Sequence, residues 1–90
     1  MFDLSGKLAF VTGSSRGIGK AVAIKLAEAG ADLIGHARSN IECLKDTAEK
    51  IEKLGRKAYM VLCDTSDVSQ IEKMFAEIKE KFGHIDIMVN

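Results

Sequence analysis

Short apolar runs alternate along the chain with segments in which apolar residues recur every three or four positions. Residues 7–12 form a short apolar run rich in strand-forming residues. From Gly17 to Gly30 the apolar residues instead recur every three or four positions, which predicts a helix. Its predicted buried face consists of Ile18, Ala21, Val22, Leu26 and Ala29.

Two further strand–helix units follow, and a last strand begins after them. Residues 32–36, 57–63 and 85–89 predict the second, third and fourth strands. We expect Ser39 to open the second helix, because Glu42 stands three residues on in the pattern of a capping box. Asp67 and Gln70 have the same spacing and predict a capped start of the third helix. The predicted buried faces are Ile41, Leu44, Ala48 and Ile51 in the second helix, and Val68, Ile71, Phe75, Ile78 and Phe82 in the third.

Strands separated by helices of this length are typical of parallel β-α-β units with right-handed crossovers. The sequence shows no linker, no repeat, no low-complexity segment and no proline. We therefore expect residues 1–90 to form one layered α/β domain, or part of one.

Composition excludes several classes of protein. The 13 basic and 13 acidic residues cancel, so no net charge attracts the chain to nucleic acid or to an anionic membrane. No apolar run approaches the roughly 20 residues that span a bilayer, and the first residues do not resemble a secretory signal. Cys43 and Cys63 lie far apart without a metal-ligand spacing, which favours reduced thiols in a cytoplasmic protein.

Residues 12–19 form a glycine-rich turn between the first strand and the first helix. Backbone N–H groups and the helix dipole converge at such a turn, and this geometry suits a pyrophosphate. We expect the Ser14 and Ser15 hydroxyls to donate to phosphate or ribose oxygens. The alternative is that the glycines only tighten the turn.

The spacing of the glycines excludes two common phosphate-binding loops. A Walker A loop requires glycine at position 14 and Ser or Thr at position 21, where this chain has Ser14 and Ala21. The fingerprint G-x-G-x-x-G, started at Gly13, fails at Ser15 and Ile18. What remains is T-G-x-x-x-G-I-G.

This motif resembles the cofactor turn of the classical short-chain dehydrogenases/reductases, and the similarity extends over essentially the whole chain. Residues 4–7 look like the lead into the family's first strand, and residues 83–90 look like the approach to its Asn-Asn-Ala-Gly motif, of which only Asn90 is present. The resemblance implies part of a Rossmann-type doubly wound parallel sheet, with about four strands in the order 3-2-1-4 and three helices. It also implies that Asp64 lies near the adenine, with capping of the following turn as the alternative.

The end of the second strand favours NADP(H) over NAD(H). Relatives that bind NAD generally have an acidic residue where this chain has Ala37, and Arg38 follows at once. A guanidinium can hold a 2′-phosphate through paired, charge-assisted bonds. The resemblance makes Arg16 a second cation for this group. NAD(H) is the less favoured alternative. The residues assigned to the cofactor are Gly13, Ser14, Ser15, Arg16, Gly17, Ile18, Gly19, Arg38, Ser39, Asp64, Thr65 and Asn90.

No catalytic residue is assigned in this chain, and no metal site. The family's hydride transfer depends on a tyrosine and a lysine four residues apart, which come from its second half, and Tyr59 has no such lysine and is expected to pack. His36 and His84 are interpreted as ordinary polar residues, with His36 lining an adenosine pocket as the alternative. We expect the free 90-residue chain to be marginally stable, oligomeric or prone to aggregation.

The resemblance implies an oxidoreductase that acts on a carbonyl or alcohol of a small molecule and assembles as a homo-oligomer. The turn and residues 37–39 look most like bacterial reductases of the fatty-acid type, such as 3-oxoacyl-acyl carrier protein reductase. Two alternatives stay open. One is a stand-alone nucleotide-binding or regulatory module without catalysis, for which the discriminating fact is whether the coding chain ends at Asn90. The other is a non-redox relative such as an epimerase or dehydratase.

Overall fold

Strands and helices alternate along the chain in the predicted order. The computed structural model describes residues 3–14 and 17–89. The strands are β1 (Leu8–Val11), β2 (Asp32–Ala37), β3 (Ala58–Leu62) and β4 (Ile87–Val89). The helices are α1 (Gly17–Glu28), α2 (Ile41–Lys53) and α3 (Val68–Phe82).

The strands form a parallel sheet in the order β3-β2-β1-β4. In its register, Ala9 of β1 lies between Leu33 of β2 and Ile87 of β4. The predicted Rossmann-type sheet, its strand order and the three helices are confirmed over the described residues. Because the strands are parallel, their carboxyl ends meet at one edge, where ligands bind in sheets of this kind.

The two faces of the sheet are packed differently. On one face, side chains from β1 and β2 pack against α1 and α2, in a buried cluster of Ala9, Val11, Ala23, Ala27, Ala31, Leu33 and Ile51. On the other face α3 supplies the cover, in a buried cluster of Phe10, Ile34, Cys63, Met74 and Ile78. Burial on both faces explains why β1 reads as a continuous apolar run.

The predicted buried face of α1 is partly wrong. Ala23 and Ala27 are the buried residues of this helix, whereas Ile18 is 84% exposed and Ala21 is also exposed. Residues 21–24 are all apolar, so the pattern does not fix which side of the helix faces the sheet. The small alanines bring α1 close to the sheet. Val68, the first residue of α3, is likewise exposed instead of buried.

The helix ends confirm one predicted cap and correct another. Asp67 is the N-cap of α3, as expected, and its carboxylate accepts from the N–H groups of Ser69 and Gln70. The N-cap of α2 is Asn40, whose Oδ1 accepts from the Cys43 N–H at 3.2 Å, so the capping box predicted from Ser39 is wrong. Asparagine and serine are comparable N-caps, and the sequence places them side by side.

Candidate functional site

The turn between β1 and α1 leaves open space where a ligand could approach the backbone. Gly13 and Gly17 both have φ near +63°, a left-handed conformation that favours glycine. A Cβ added to either residue would meet no atom of the described chain within 4 Å. The first N–H groups of α1 have no partner within the helix. The start of α1 therefore combines N–H groups that have no partner within the helix with an unobstructed approach, an arrangement that suits a pyrophosphate.

Gly19 has a different role, because its missing side chain lets α1 contact the turn. A Cβ at this position would lie 2.3 Å from the Gly13 carbonyl oxygen and 2.8 Å from the Gly13 carbonyl carbon. Both are backbone atoms and cannot rotate away. The third glycine of the motif thus sets the distance between the turn and the helix.

Ser14 faces the interior of the protein. It is completely buried, and its Oγ accepts from the His36 N–H at 2.8 Å while lying 3.4 Å from the His36 carbonyl oxygen, to which it donates. A hydroxyl in this position cannot reach a ligand, so the structure does not support the expected donation from Ser14 to phosphate. Ser14 instead joins the turn to β2.

His36 contributes a buried imidazole to the same junction. The ring Nδ1 accepts from the Gly13 N–H at 3.1 Å, and Nε2 lies 2.9 Å from the Cys63 carbonyl oxygen. The Ser14 N–H donates to the His36 carbonyl at 2.9 Å. The interpretation of His36 as an ordinary polar residue therefore missed its contacts. The signal in the sequence is a histidine that directly follows the apolar residues 33–35 within β2.

Thr47 and Gly35 complete the packing around the turn, and the sequence interpretation missed both. The Thr47 Oγ1 donates to the Ser14 carbonyl at 2.9 Å from α2. A Cβ on Gly35 would lie 3.0 Å from the Ser14 Oγ and 3.1 Å from Leu44 Cδ1, so glycine in β2 makes room for the turn. Thr47 stands one position before Ala48 on the predicted buried face, which is the signal that could have found it.

The segment after β2 brings Arg38 close to Asp64. Arg38 is exposed, and its Nε lies 3.6 Å from Asp64 Oδ1. The preceding residue, Ala37, is buried and uncharged. Ser39 follows as an exposed residue. The Arg38 guanidinium therefore stands at the carboxyl end of β2, and residue 37 before it carries no carboxylate.

Asp64 organises the turn that follows β3. Its Oδ1 accepts from the Ser66 N–H at 3.0 Å and from the Ser66 hydroxyl at 2.7 Å. These two bonds, followed by the charge of Arg38, hold the pKa of the Asp64 carboxyl below its ordinary value. The interpretation of Asp64 as a turn cap is thus supported. Thr65 is exposed beside it.

The end of β4 also reaches the turn. The Thr12 N–H donates to the Val89 carbonyl at 3.0 Å, and the Thr12 hydroxyl donates to the same oxygen at 3.3 Å. Three residues assigned to the cofactor from the sequence, Ser15, Arg16 and Asn90, lie outside the described residues.

Tyr59 and His84 make contacts away from this edge. The Tyr59 ring packs edge-on against Phe82, with 4.5 Å between the ring centroids. Tyr59 is thus a packing residue, as predicted. His84 is exposed and lies 3.3 Å from Asp86. The Asp86 carboxylate in turn accepts from the Leu8 N–H at 2.9 Å, a bond that ties the start of β1 to the segment before β4.

Neither a metal centre nor a membrane span is found in the part of the chain that the structure describes. Residues 3–14 and 17–89 contain no group of three or more His, Cys, Asp or Glu side chains that could hold a metal ion. None of the helices in these residues is long and apolar enough to cross a bilayer. A hollow of about 400 Å³ between β3 and α3 lies away from the glycine-rich turn.

Comparison with known proteins identifies the family. The family described as short chain dehydrogenase matches residues 7–90. The chain belongs to the short-chain dehydrogenase family. Its relatives include a 2-dehydro-3-deoxy-D-gluconate 5-dehydrogenase of Pseudoalteromonas atlantica, 45% identical over 99% of this chain and 35% of the relative. Another is a hydroxynaphthalene reductase-like protein of Metarhizium brunneum, 38% identical over 98% of this chain and 33% of the relative.

Solved structures agree with this membership. A metagenomic short-chain oxidoreductase in complex with NADP superposes with a TM-score of 0.90 at 36% identity, covering 94% of this chain and 38% of the other. The present chain spans about a third of the length of the curated relatives it matches.

Proposed function

We propose that this chain forms the NADP(H)-binding portion of an oxidoreductase that reduces a carbonyl group or oxidises an alcohol. The observation behind the choice of cofactor is the exposed Arg38 next to the buried, uncharged Ala37 at the end of β2. Membership in the short-chain dehydrogenase family supports the class of reaction.

The geometry of the turn fits a dinucleotide. The open side of Gly13 and Gly17 would admit the pyrophosphate, and the first N–H groups of α1 would donate to it. The exposed Ile18 would lie beside it at the start of α1, and Gly19 would keep the helix against the turn. When bound, the nicotinamide supplies or accepts the hydride.

The adenosine end of the cofactor would lie across the loops after β2 and β3. The Arg38 Nε faces Asp64, and the terminal nitrogens of the guanidinium would remain to hold the 2′-phosphate. Ser39 would border this phosphate, while Asp64 and Thr65 would border the adenine. We also assign Arg16 to the phosphate, Ser15 to the pyrophosphate and Asn90 to the cofactor. The NADP bound in the metagenomic relative is consistent with this choice of cofactor.

The substrate is proposed only as a class. One relative is named for a keto sugar acid and another for a hydroxynaphthalene, and both names describe chemistry at a carbonyl or alcohol. A 3-oxoacyl chain on acyl carrier protein is one hypothesis within this class. We propose a cytoplasmic homo-oligomer acting on a small molecule, without nucleic acid or membrane as a partner.

The substitution Arg38→Asp tests the cofactor assignment in the natural polypeptide. A carboxylate at position 38 removes the phosphate contact and repels the 2′-phosphate, while it leaves the two ribose hydroxyls of NADH free to bind. We expect the Kd for NADPH to rise about 10- to 100-fold, in keeping with the loss of charge-assisted hydrogen bonds, and the Kd for NADH to change little. Both constants can be measured by titration of nucleotide fluorescence.

Arg56→Asp is the matched control, because it makes the same change of charge at the opposite edge of the sheet. Arg56 precedes β3, and its Nη1 lies 3.3 Å from the Gly30 carbonyl oxygen. We expect this variant to bind NADPH as the wild type does. Equal losses of NADPH and NADH affinity in Arg38→Asp would contradict the assignment of NADP(H).

A further inference from the structure

We infer that His36 is a positioning residue of the cofactor turn, which it holds through the unprotonated Nδ1 of a single neutral tautomer. This inference rests on the proposed function. Gly13 offers an N–H, so the ring nitrogen 3.1 Å from it must accept. The neutral ring then has its hydrogen on Nε2, and Nε2 lies 2.9 Å from the Cys63 carbonyl, which can only accept. One tautomer therefore satisfies both partners.

The backbone around the ring strengthens the same contact. The Ser14 N–H donates to the His36 carbonyl at 2.9 Å, and the His36 N–H donates to the Ser14 Oγ at 2.8 Å. His36 is 4% exposed and Ser14 is fully buried. Water cannot replace these bonds without opening the structure, so the side chain of His36 is held in place from two sides.

These bonds determine which donors face a ligand. The N–H groups of Gly13 and Ser14 point toward His36, so neither is available to a phosphate. Among the described residues, the N–H groups that remain for the pyrophosphate are then those at the start of α1. Because Gly19 abuts the Gly13 carbonyl, a shift of Gly13 displaces that start.

The same ring links the two halves of the proposed site. Gly13 belongs to the pyrophosphate turn, whereas Cys63 immediately precedes Asp64, which we assign to the adenine. His36 itself lies two positions before Arg38. One buried side chain thereby sets the distance between the turn, the end of β2 and the end of β3.

Two amide substitutions in the natural polypeptide separate the two ring contacts. The amide of His36→Asn lies near the position of Nδ1 and can accept from Gly13, while the amide of His36→Gln lies near Nε2 and can donate to Cys63. We expect His36→Asn to bind NADPH within about 3-fold of the wild type and His36→Gln to bind it about 10-fold or more weakly, since only the second loses the Gly13 contact. Urea unfolding of both variants measures the loss of stability, which we expect to be similar.

The outcomes distinguish this inference from the proposed function. If the two variants lose NADPH affinity equally and in step with stability, His36 has a merely structural role and the inference is overturned. A wild-type protein that binds neither NADPH nor NADH overturns the proposed function, and the positioning role with it.

A measurement without cofactor keeps the inference testable if a variant does not fold. In ¹⁵N-labelled wild-type protein, the imidazole nitrogens report the tautomer directly by NMR. We expect an unprotonated Nδ1 with a scalar coupling to the Gly13 amide nitrogen, and a protonated Nε2. A protonated Nδ1 in the neutral ring would refute the arrangement.

Discussion

Replacement of Gly19 by alanine gives opposite predictions from the sequence and from the structure. In the interior of a helix, alanine is more favourable than glycine by about 0.8–1.0 kcal/mol, so propensity alone predicts that Gly19→Ala stabilises α1. In the structure, the added methyl group would lie 2.3 Å from the Gly13 oxygen and 3.2 Å from the Thr12 oxygen. The sign of the effect therefore depends on this contact.

The contact should outweigh the propensity. Overpacking typically costs 1–3 kcal/mol, and we take about 3 kcal/mol because the atoms it meets belong to the backbone of a turn. Subtracting about 1 kcal/mol of helix propensity leaves a net loss of about 2 kcal/mol. This corresponds to roughly a 30-fold decrease in the equilibrium constant for folding. The displaced start of α1 should also weaken NADPH binding.

Urea denaturation followed by circular dichroism, together with NADPH titration, measures both effects. Gly55→Ala serves as the control for an added methyl group, because no described atom lies within 4 Å of a Cβ at this position. Unlike Gly19, Gly55 has a positive φ of +82°. We expect this control to lose about 1–2 kcal/mol from the left-handed backbone alone and to bind NADPH normally. A Gly19→Ala protein more stable than the wild type would refute the steric argument.

Two further predictions concern the contacts of the turn and of α3. Thr47→Val keeps the shape of the side chain but leaves the buried Ser14 carbonyl without its donor from α2, so we expect the free energy of unfolding in urea to fall by about 1–3 kcal/mol. Thr47→Ser keeps the hydroxyl and should retain most of the stability. Equal losses in the two variants would contradict this assignment. The Ser69 hydroxyl, followed by the Gln70 N–H, holds the pKa of the Asp67 carboxyl below its ordinary value of 3.8. The ionised carboxylate therefore stabilises the fold above pH 3.8, and this stabilisation is lost as the pH falls through the lowered pKa of Asp67. The free energy of unfolding, measured between about pH 5 and pH 2, should therefore fall less steeply with decreasing pH for Asp67→Asn than for the wild type. Identical slopes for the two proteins would exclude this role of Asp67.

Local patterns in the sequence were sufficient for the elements and their order. The change from short apolar runs to apolar residues spaced three or four positions apart located the strands and helices, because side-chain direction follows directly from backbone geometry. Asp67 was identified as a cap because its hydrogen bonds reach only two or three residues along the chain. The glycine spacing in residues 12–19 identified the turn for a related reason, since the left-handed backbone of Gly13 and Gly17 is a local property of the chain.

Contacts between distant segments were decided only by the tertiary structure. The buried side of α1 depended on which apolar residues met the sheet, so Ile18 was placed wrongly while Ala23 and Ala27 were overlooked. Ser14 was expected to face a ligand and faces His36, which lies 22 residues away.

The sequence by itself determined the alternation of elements, the glycine turn and the absence of an acidic residue at position 37, since each is set by residues close together in the chain. Only the tertiary structure determined what the turn rests on. His36, Thr47 and Gly35 come to it from β2 and α2, and their roles depend on distances between atoms that are far apart in sequence. The hydrogen-bonding role of a histidine in a strand is undetermined until the fold places a donor beside one ring nitrogen and an acceptor beside the other.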